Sequence, residues 1–401
     1  MRSGVVDRTK RRADSRSAGL QEHVGAATER SQLLRCSSVT DTGGFRSARR
    51  SGRREPRFWF FDLVQKPGRL WARDRASCAR ESRRALIDGS RRYAGAVAEW
   101  SAEVTVDRDL AYRLIAGQFE ALQPAELRLL PEGWDNTVWL VDRCWVFRFP
   151  RREVVIPGIE REMTLLPRLA SLLPLPIPRP VFLGRPADGF RWPFLGAALI
   201  PGTETADSAC SDADRCRLAR PLAAFLRALH DGGTAAAVDP AGELPSDPMG
   251  RGDMKLRVPR TAERLAEVER LGMWRAPQSV HDVLDAAGGL GTPDPSALVH
   301  GDLHIRHLLV DDDCGAAGVI DWTDICRGDP AIDLPLFWSL LPVAGRDEFL
   351  DTYGTVTHAQ LLRARVLAVF LSATLAVYAH HKGMANLERE AIAALERTVV
   401  D

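Results

Sequence analysis

The chain has 401 residues, 45% of them hydrophobic and 27% charged, which is ordinary globular usage and enough for two or three domains with a sizeable core. The formal net charge of +1 conceals an asymmetry: residues 1–100 carry 23 Lys+Arg against 11 Asp+Glu, and the rest of the chain 31 against 42. The acidic remainder repels polyanions, which argues against a nucleic-acid partner and admits cationic small molecules.

Residues 1 to about 95 are rich in Arg, Ser and Gly and show no sustained apolar period. Such a segment cannot bury enough surface to offset its ordering entropy. Residues 1–100 are therefore expected to be a disordered tail, or an extension from a start codon placed too far upstream, with a basic arm as the competing reading. FWFFDLV (58–64) is their one apolar patch, and the apolar core of a signal peptide is missing. Order is expected to begin near Val104. Asp107 is placed to cap a helix through about Leu122, on which Leu110, Leu114, Ile115 and Phe119 recur at helical spacing. Two alternating runs, 137–141 and 144–150, joined at Asp142 and Arg143, read as a hairpin. A helix over 159–173 follows, then a proline-rich stretch, then a strand pair at 180–184 and 194–203. From 211 onward helices dominate, the last of them reading as a run over 361–396. The pattern predicts an α+β chain of two lobes with a site between them: a small β-rich lobe over 101–200 and a larger, mainly helical lobe over 201–401. The near-apolar stretch 366–379 reads as a buried helix too short to span a bilayer, so no membrane partner is expected. Seven scattered cysteines without a C-x-x-C pair predict neither a disulfide framework nor a zinc cage, and fit a reducing cytoplasm.

The chemistry concentrates in VHGDLHIRHLLV (299–310) and GVIDWTDICRGDPAIDL (318–334). His300, His304 and His307, at i, i+4 and i+7, would share a helix face and suggest zinc. Gly301 interrupts that helix, and no H-E-x-x-H motif is present. Phosphoryl transfer asks for a carboxylate, a metal ligand about five residues later, and a second acidic ligand beyond a hairpin. Asp302, His307 and Asp321 have that spacing, and the intervening LLVDDDCGAAGVID reads as strand, turn, strand.

His300–Leu309 and Ile320–Leu334 resemble the H-G-D-L-H-x-x-N-x-L and I-D-W-x-x-x-x-x-G-D-P-x-x-D-L segments of the aminoglycoside phosphotransferase family, small-molecule kinases with the protein-kinase-like fold. The resemblance spans about 104–390. It implies Asp302 as catalytic base, Asp321 as magnesium ligand, and His307 in place of the usual Asn, as in the macrolide phosphotransferase branch. Imidazole is a softer ligand than an amide oxygen, so Mn2+ is an alternative to Mg2+. His300 and His304 are expected to be loop scaffold, and Asp329 and Asp333 to brace the helix that follows. No lysine occurs between 67 and 254, so Arg148 stands where a kinase lobe needs a cation on the phosphates, with Glu162 as its helix partner by family position and Glu160 as runner-up. In GWDNTVWLV, Asn136 and Thr137 offer donors to phosphate, with Trp134 and Trp139 read as packing and 198–203 as the purine hinge. The implied function is transfer of the γ-phosphate of ATP or GTP to a hydroxyl of a small molecule, an aminoglycoside or a macrolide among the candidates. A catalytically silent nucleotide-binding protein is the alternative. For the acceptor, Asp324, Asp333 and Trp338 are candidates without a guiding motif, and the oligomeric state is left open.

Overall fold

Asp107 opens the first helix: its Oδ1 accepts the Leu110 N–H at 2.8 Å, and α1 runs Arg108–Gln118, burying Ala111, Leu114 and Ile115. The computed structural model describes residues 102–130 and 135–400. The readings made of residues 1–100, FWFFDLV and Trp134 lie outside the described residues.

After α1 come β1 (Leu127–Leu129), β2 (Asn136–Val141) and β3 (Trp145–Pro150). The β2–β3 turn places Asp142 at φ 48° and Arg143 at φ 59°, the twin left-handed residues of a tight hairpin turn whose twist matches the strands. Then α2 (Ile156–Leu169) starts with Pro157 in its first turn, where the missing N–H is not needed. With β4 (Pro180–Gly184) and β5 (Phe194–Ala198) the strands form one antiparallel sheet in the order β1-β2-β3-β5-β4. Phe147, Phe149, Phe190 and Phe194 pack between this sheet and α1 with almost no exposed surface. β1 is too short to show any alternation, and the sequence reading missed it.

The second part begins with β6 (Thr203–Glu204) and α3 (Asp212–Leu229), the latter set by a Ser211–Asp214 capping box. It continues through α4 (Gly232–Val238), α5 (Met254–Arg270) and α6 (Gln278–Gly288). The short strands β7 (Ala297–Val299), β8 (Leu308–Val310), β9 (Ala316–Val319) and β10 (Cys326–Gly328) follow, forming β6-β8-β9 and β10-β7 antiparallel sheets. Helices α7 (Pro335–Ser339), α8 (Val343–Tyr353), α9 (His358–Lys382) and α10 (Ala385–Val399) close the chain. A second apolar cluster joins these helices to Leu165, Leu166 and Leu169 of α2.

Two expectations need correction. The run over 361–396 is two helices, because Gly383 adopts φ 66° and ends α9 with a left-handed cap. Starting at the Thr357 cap, α9 reaches 25 residues, long and apolar enough by composition to cross a bilayer, yet 67% of its apolar window is buried inside this fold. The cysteines do form a disulfide: Cys210 and Cys314, 104 residues apart, are bonded with their Cα atoms 5.7 Å apart. Sequence spacing could not show this pair, since only the fold brings the segment before α3 beside the β8–β9 turn.

Candidate active site

The strand β3 carries Arg148 between apolar neighbours, which buries its guanidinium. Its Nη1 donates to Glu162 Oε2 at 2.6 Å, and its Nη2 to Asp321 Oδ1 at 2.7 Å and Thr323 Oγ1 at 2.9 Å. Thr323 in turn donates to Glu162 Oε1 at 2.7 Å. Glu162 has no exposed surface, whereas Glu160, one helix face away, is exposed. Burial raises the Glu162 carboxyl above its ordinary range despite the adjacent guanidinium. The close approach of α2 to this network depends on Gly158, where a Cβ would lie 2.4 Å from the Thr323 carbonyl.

Asp321 reaches the same point from the other direction. The β8–β9 hairpin folds back so that the Ile320 N–H donates to the His307 carbonyl at 2.9 Å, and Asp321 follows at φ 66°. A left-handed aspartate costs backbone strain, of the kind that surrounding structure must hold in place. Burial pushes the Asp321 carboxyl up, but the Arg148 guanidinium against it outweighs that and leaves the group well below the usual carboxylate range.

The loop 300–307 is pinned from below. Asp333, fully buried, accepts the N–H groups of His300 at 2.6 Å and Gly301 at 3.0 Å. Gly301 sits at φ 89° with the Asp324 carbonyl where a Cβ would be, so only glycine fits. Arg306 grips Glu204 with two bonds, at 2.8 and 2.9 Å, and Thr205 donates to the Ile305 carbonyl. Asp329 caps the turn before α7 by accepting from Ala331.

Hydrogen bonds assign the histidines. His300 Nε2 lies 3.0 Å from the Ile320 carbonyl and its Nδ1 accepts the Asp302 N–H, so both nitrogens serve the loop. His304 Nδ1 accepts the Arg306 N–H at 3.3 Å, which leaves the proton on Nε2 of a neutral ring. Burial, reinforced by the nearby His307 and Arg306, holds His304 well below the usual imidazole range. His307 Nδ1 lies 2.8 Å from the Asp302 carbonyl. A carbonyl only accepts, so the proton is on Nδ1 and the Nε2 lone pair points outward, 3.5 Å from Asp321 Oδ2. Although Asp302, His304 and His307 offer ligand atoms within 4.8 Å of one another, the His304 tautomer leaves no lone pair there. The three-histidine zinc site of the sequence alternative does not form, because the segment is a loop and His300 is fully engaged. A carboxylate oxygen of Asp321 and the free nitrogen of His307 together fit a divalent cation.

Asp302 projects from the loop with about a quarter of its side chain exposed. Its Oδ1 accepts from Arg251 Nη2 at 3.0 Å, and the same nitrogen donates to Asp324 Oδ2 at 2.7 Å. The sequence reading missed Arg251 and Thr323; nothing in the loop MGRGDMK separates this arginine from the other forty-nine. Other expected residues lie elsewhere. Asn136 and Thr137 are buried at the foot of β2, paired with Pro150 and Phe149, and Asn136 Oδ1 has no hydrogen-bond partner. Trp139 is buried, donating to the Val106 carbonyl. Of the acceptor candidates, Asp333 is spent inside the loop, and Trp338 is buried, its indole donating to the Leu361 carbonyl. Asp324 alone faces the same corner as Asp302.

The model of the phosphotransferase enzyme family matches residues 126–367. The chain belongs to this family. The matched span includes Arg148, Glu162, Arg251, Asp302, His307 and Asp321. Among solved structures, an aminoglycoside 2'-phosphotransferase-IIIa in its GDP complex is 23% identical, with a TM-score of 0.52 over 73% of this chain and 99% of that one. The GDP and kanamycin complex of APH(2")-IIIa gives 23% and 0.51 over 71% and 96%. At that identity the likeness establishes the fold, the two-lobed kinase-like architecture, and this phosphotransferase shares it. An uncharacterized protein of Bacillus subtilis (strain 168), YcbJ, is 36% identical over 61 residues, so the match spans 15% of this chain and a fifth of that curated relative.

Proposed function

We propose that this phosphotransferase moves the γ-phosphate of ATP or GTP to a hydroxyl of a small molecule. The observation that supports this most directly is the convergence of Arg148, Glu162, Asp321 and His307 beside Asp302, from two sheets and a helix far apart in sequence. In the transfer, the acceptor oxygen bonds to the γ-phosphorus as the bridge to the β-phosphate breaks. The nucleoside diphosphate leaves with the electron pair, and the hydroxyl proton goes to a carboxylate oxygen of Asp302. The Asp302 oxygen not held by Arg251 is the one open to that proton, and the fixed loop holds it in register. Arg148, held by Glu162, meets the phosphates with a fork whose charge is permanent. Magnesium or manganese, held by Asp321 and His307, would neutralise phosphate charge.

Incubating the protein with Mg2+ or Mn2+, ATP or GTP, and a panel of hydroxylated acceptors should give acceptor-dependent phosphorylation detectable by mass. The relatives' kanamycin, with macrolides, sets the start of the panel. Nucleotide that binds without hydrolysis or transfer across the panel would favour the silent-binder reading. His307→Asn replaces a nitrogen ligand by an amide oxygen, which magnesium prefers. It should retain or improve magnesium-dependent turnover and narrow any manganese preference. Complete loss would show that the imidazole does something an amide cannot.

A further inference from the structure

We infer that Arg251 is a positioning residue of the proposed transfer: through one guanidinium nitrogen it sets the orientation in which Asp302 meets the acceptor hydroxyl. This deepens the kinase reading and rests on it. Arg251 Nη2 donates to Asp302 Oδ1 at 3.0 Å and to Asp324 Oδ2 at 2.7 Å. Among the described residues no other hydrogen bond reaches the Asp302 carboxylate. Its second oxygen, Oδ2, lies 3.7 Å from His304 Nε2, beyond bonding distance. The terminal torsion of an aspartate is broad and has no sharp preference of its own. The polar contact that fixes the direction of Oδ2 is therefore the bond from Arg251 to the other oxygen.

Arg251 can orient another group because both of its own ends are fixed. At the main chain, Asp247 accepts the N–H groups of Arg251 and Gly252, each at 2.8 Å, and its own N–H donates to the Arg327 carbonyl of β10 at 2.8 Å. Arg363 of α9 donates to the Gly252 carbonyl at 2.9 Å, and Arg257 of α5 to the Met249 carbonyl at 2.9 Å. At the tip, Asp324 stands just before β10, and its carbonyl lies where a Cβ on Gly301 of the catalytic loop would be. The arginine loop, β10 and the catalytic loop thus form one assembly, and the Arg251 side chain spans it. Burial disfavours the charge on Arg251, but Asp324 and Asp302 outweigh it and hold the guanidinium above its already high ordinary range.

Stability alone does not account for this arrangement. The side chains of Arg251, Asp302 and Asp324 are 17%, 26% and 32% exposed, and ion pairs in such places add little once the ordering of a long side chain is counted. Two carboxylate oxygens bonded to one nitrogen also lie within about 6 Å of each other, where like charges repel. What the contact supplies is a fixed carboxylate at the acceptor corner. A single nitrogen makes both bonds, so the planar fork is not used here. A lysine, with three donors on one nitrogen, should serve in its place.

Crystals of the full chain and of Arg251→Ala, each with Mg2+ and a non-hydrolysable ATP analogue, test the orientation directly. Asp302 should hold one carboxylate orientation in the first and a rotated or divided one in the second. An unchanged orientation in Arg251→Ala overturns the inference. The rates of phosphate transfer from ATP or GTP to water and to kanamycin test its consequence. Arg251→Ala should lower kcat about tenfold to a hundredfold, the scale of a misplaced catalytic group, and leave the nucleotide KM alone. Arg251→Lys should recover most of that loss. With Asp302→Asn already in place, Arg251→Ala should cost nothing further. An equal cost in both backgrounds, or a nucleotide KM that rises as steeply as kcat falls, marks a merely structural role and overturns the inference. Should Arg251→Ala not fold, Arg251→Gln takes its place with the same outcomes. A wild-type chain that transfers phosphate to neither water, kanamycin nor the wider panel counts against the kinase reading instead, and the crystals then decide the orientation by themselves.

Discussion

Replacing Asp302 by Asn should lower turnover by about a hundredfold to ten-thousandfold, the range a positioned general base supplies, and leave nucleotide affinity near its starting value. The split follows from the contacts. Asp302 touches Arg251 and faces His304; it makes no bond to Arg148, the cation proposed to meet the phosphates, nor to Glu162 or Thr323, which hold that cation. Asn keeps the acceptor oxygen that Arg251 uses, so the loop should hold its shape. Steady-state rates beside nucleotide titration decide the matter. Nucleotide affinity falling as steeply as turnover would remove Asp302 from the role of base.

Glu162→Ala should cost about 3–5 kcal/mol of folding stability, because it strips one partner from a buried ion pair and leaves a guanidinium in the interior. Asp321 and Thr323 remain as partners of Arg148, but neither fills the space the glutamate leaves between α2 and β3. Urea denaturation monitored by tryptophan fluorescence measures the loss. Glu162→Gln keeps two hydrogen-bonding positions and should lose clearly less. A loss under about 1 kcal/mol, the worth of an exposed ion pair, would mean the pair is not the keystone the geometry makes it.

Much of the site was legible because its signals are local and paired. Asp302, His307 and Asp321 stand at fixed spacings across a hairpin whose strands announce themselves, and the fold brings Asp321 Oδ2 to 3.5 Å from His307 Nε2. The absence of lysine left Arg148 as the cation, and its 2.6 Å bond to Glu162 gives that choice a physical partner. What stayed hidden depends on long-range placement. Arg251 meets Asp302 from 51 residues away and Asp324 from 73, with no periodicity or motif to mark it. Asn136 and Thr137 were read as donors because GWDNTVWLV corresponds to a phosphate-covering hairpin loop; strand pairing across from Pro150 and Phe149 buries both, which the sequence did not signal. The Cys210–Cys314 bond and the break at Gly383 were likewise set by tertiary contacts and by one left-handed residue.

The guanidinium of Arg148 also bears on how the proposed transfer would answer to alkali. Burial opposes its charge, but the carboxylates of Glu162 and Asp321 outweigh that and hold the group above its already high ordinary range. A lysine in that seat would shed its proton at high pH and give the rate a basic limb. On the proposed reading Arg148 stays charged throughout, so its deprotonation contributes no basic limb to the pH profile of the transfer.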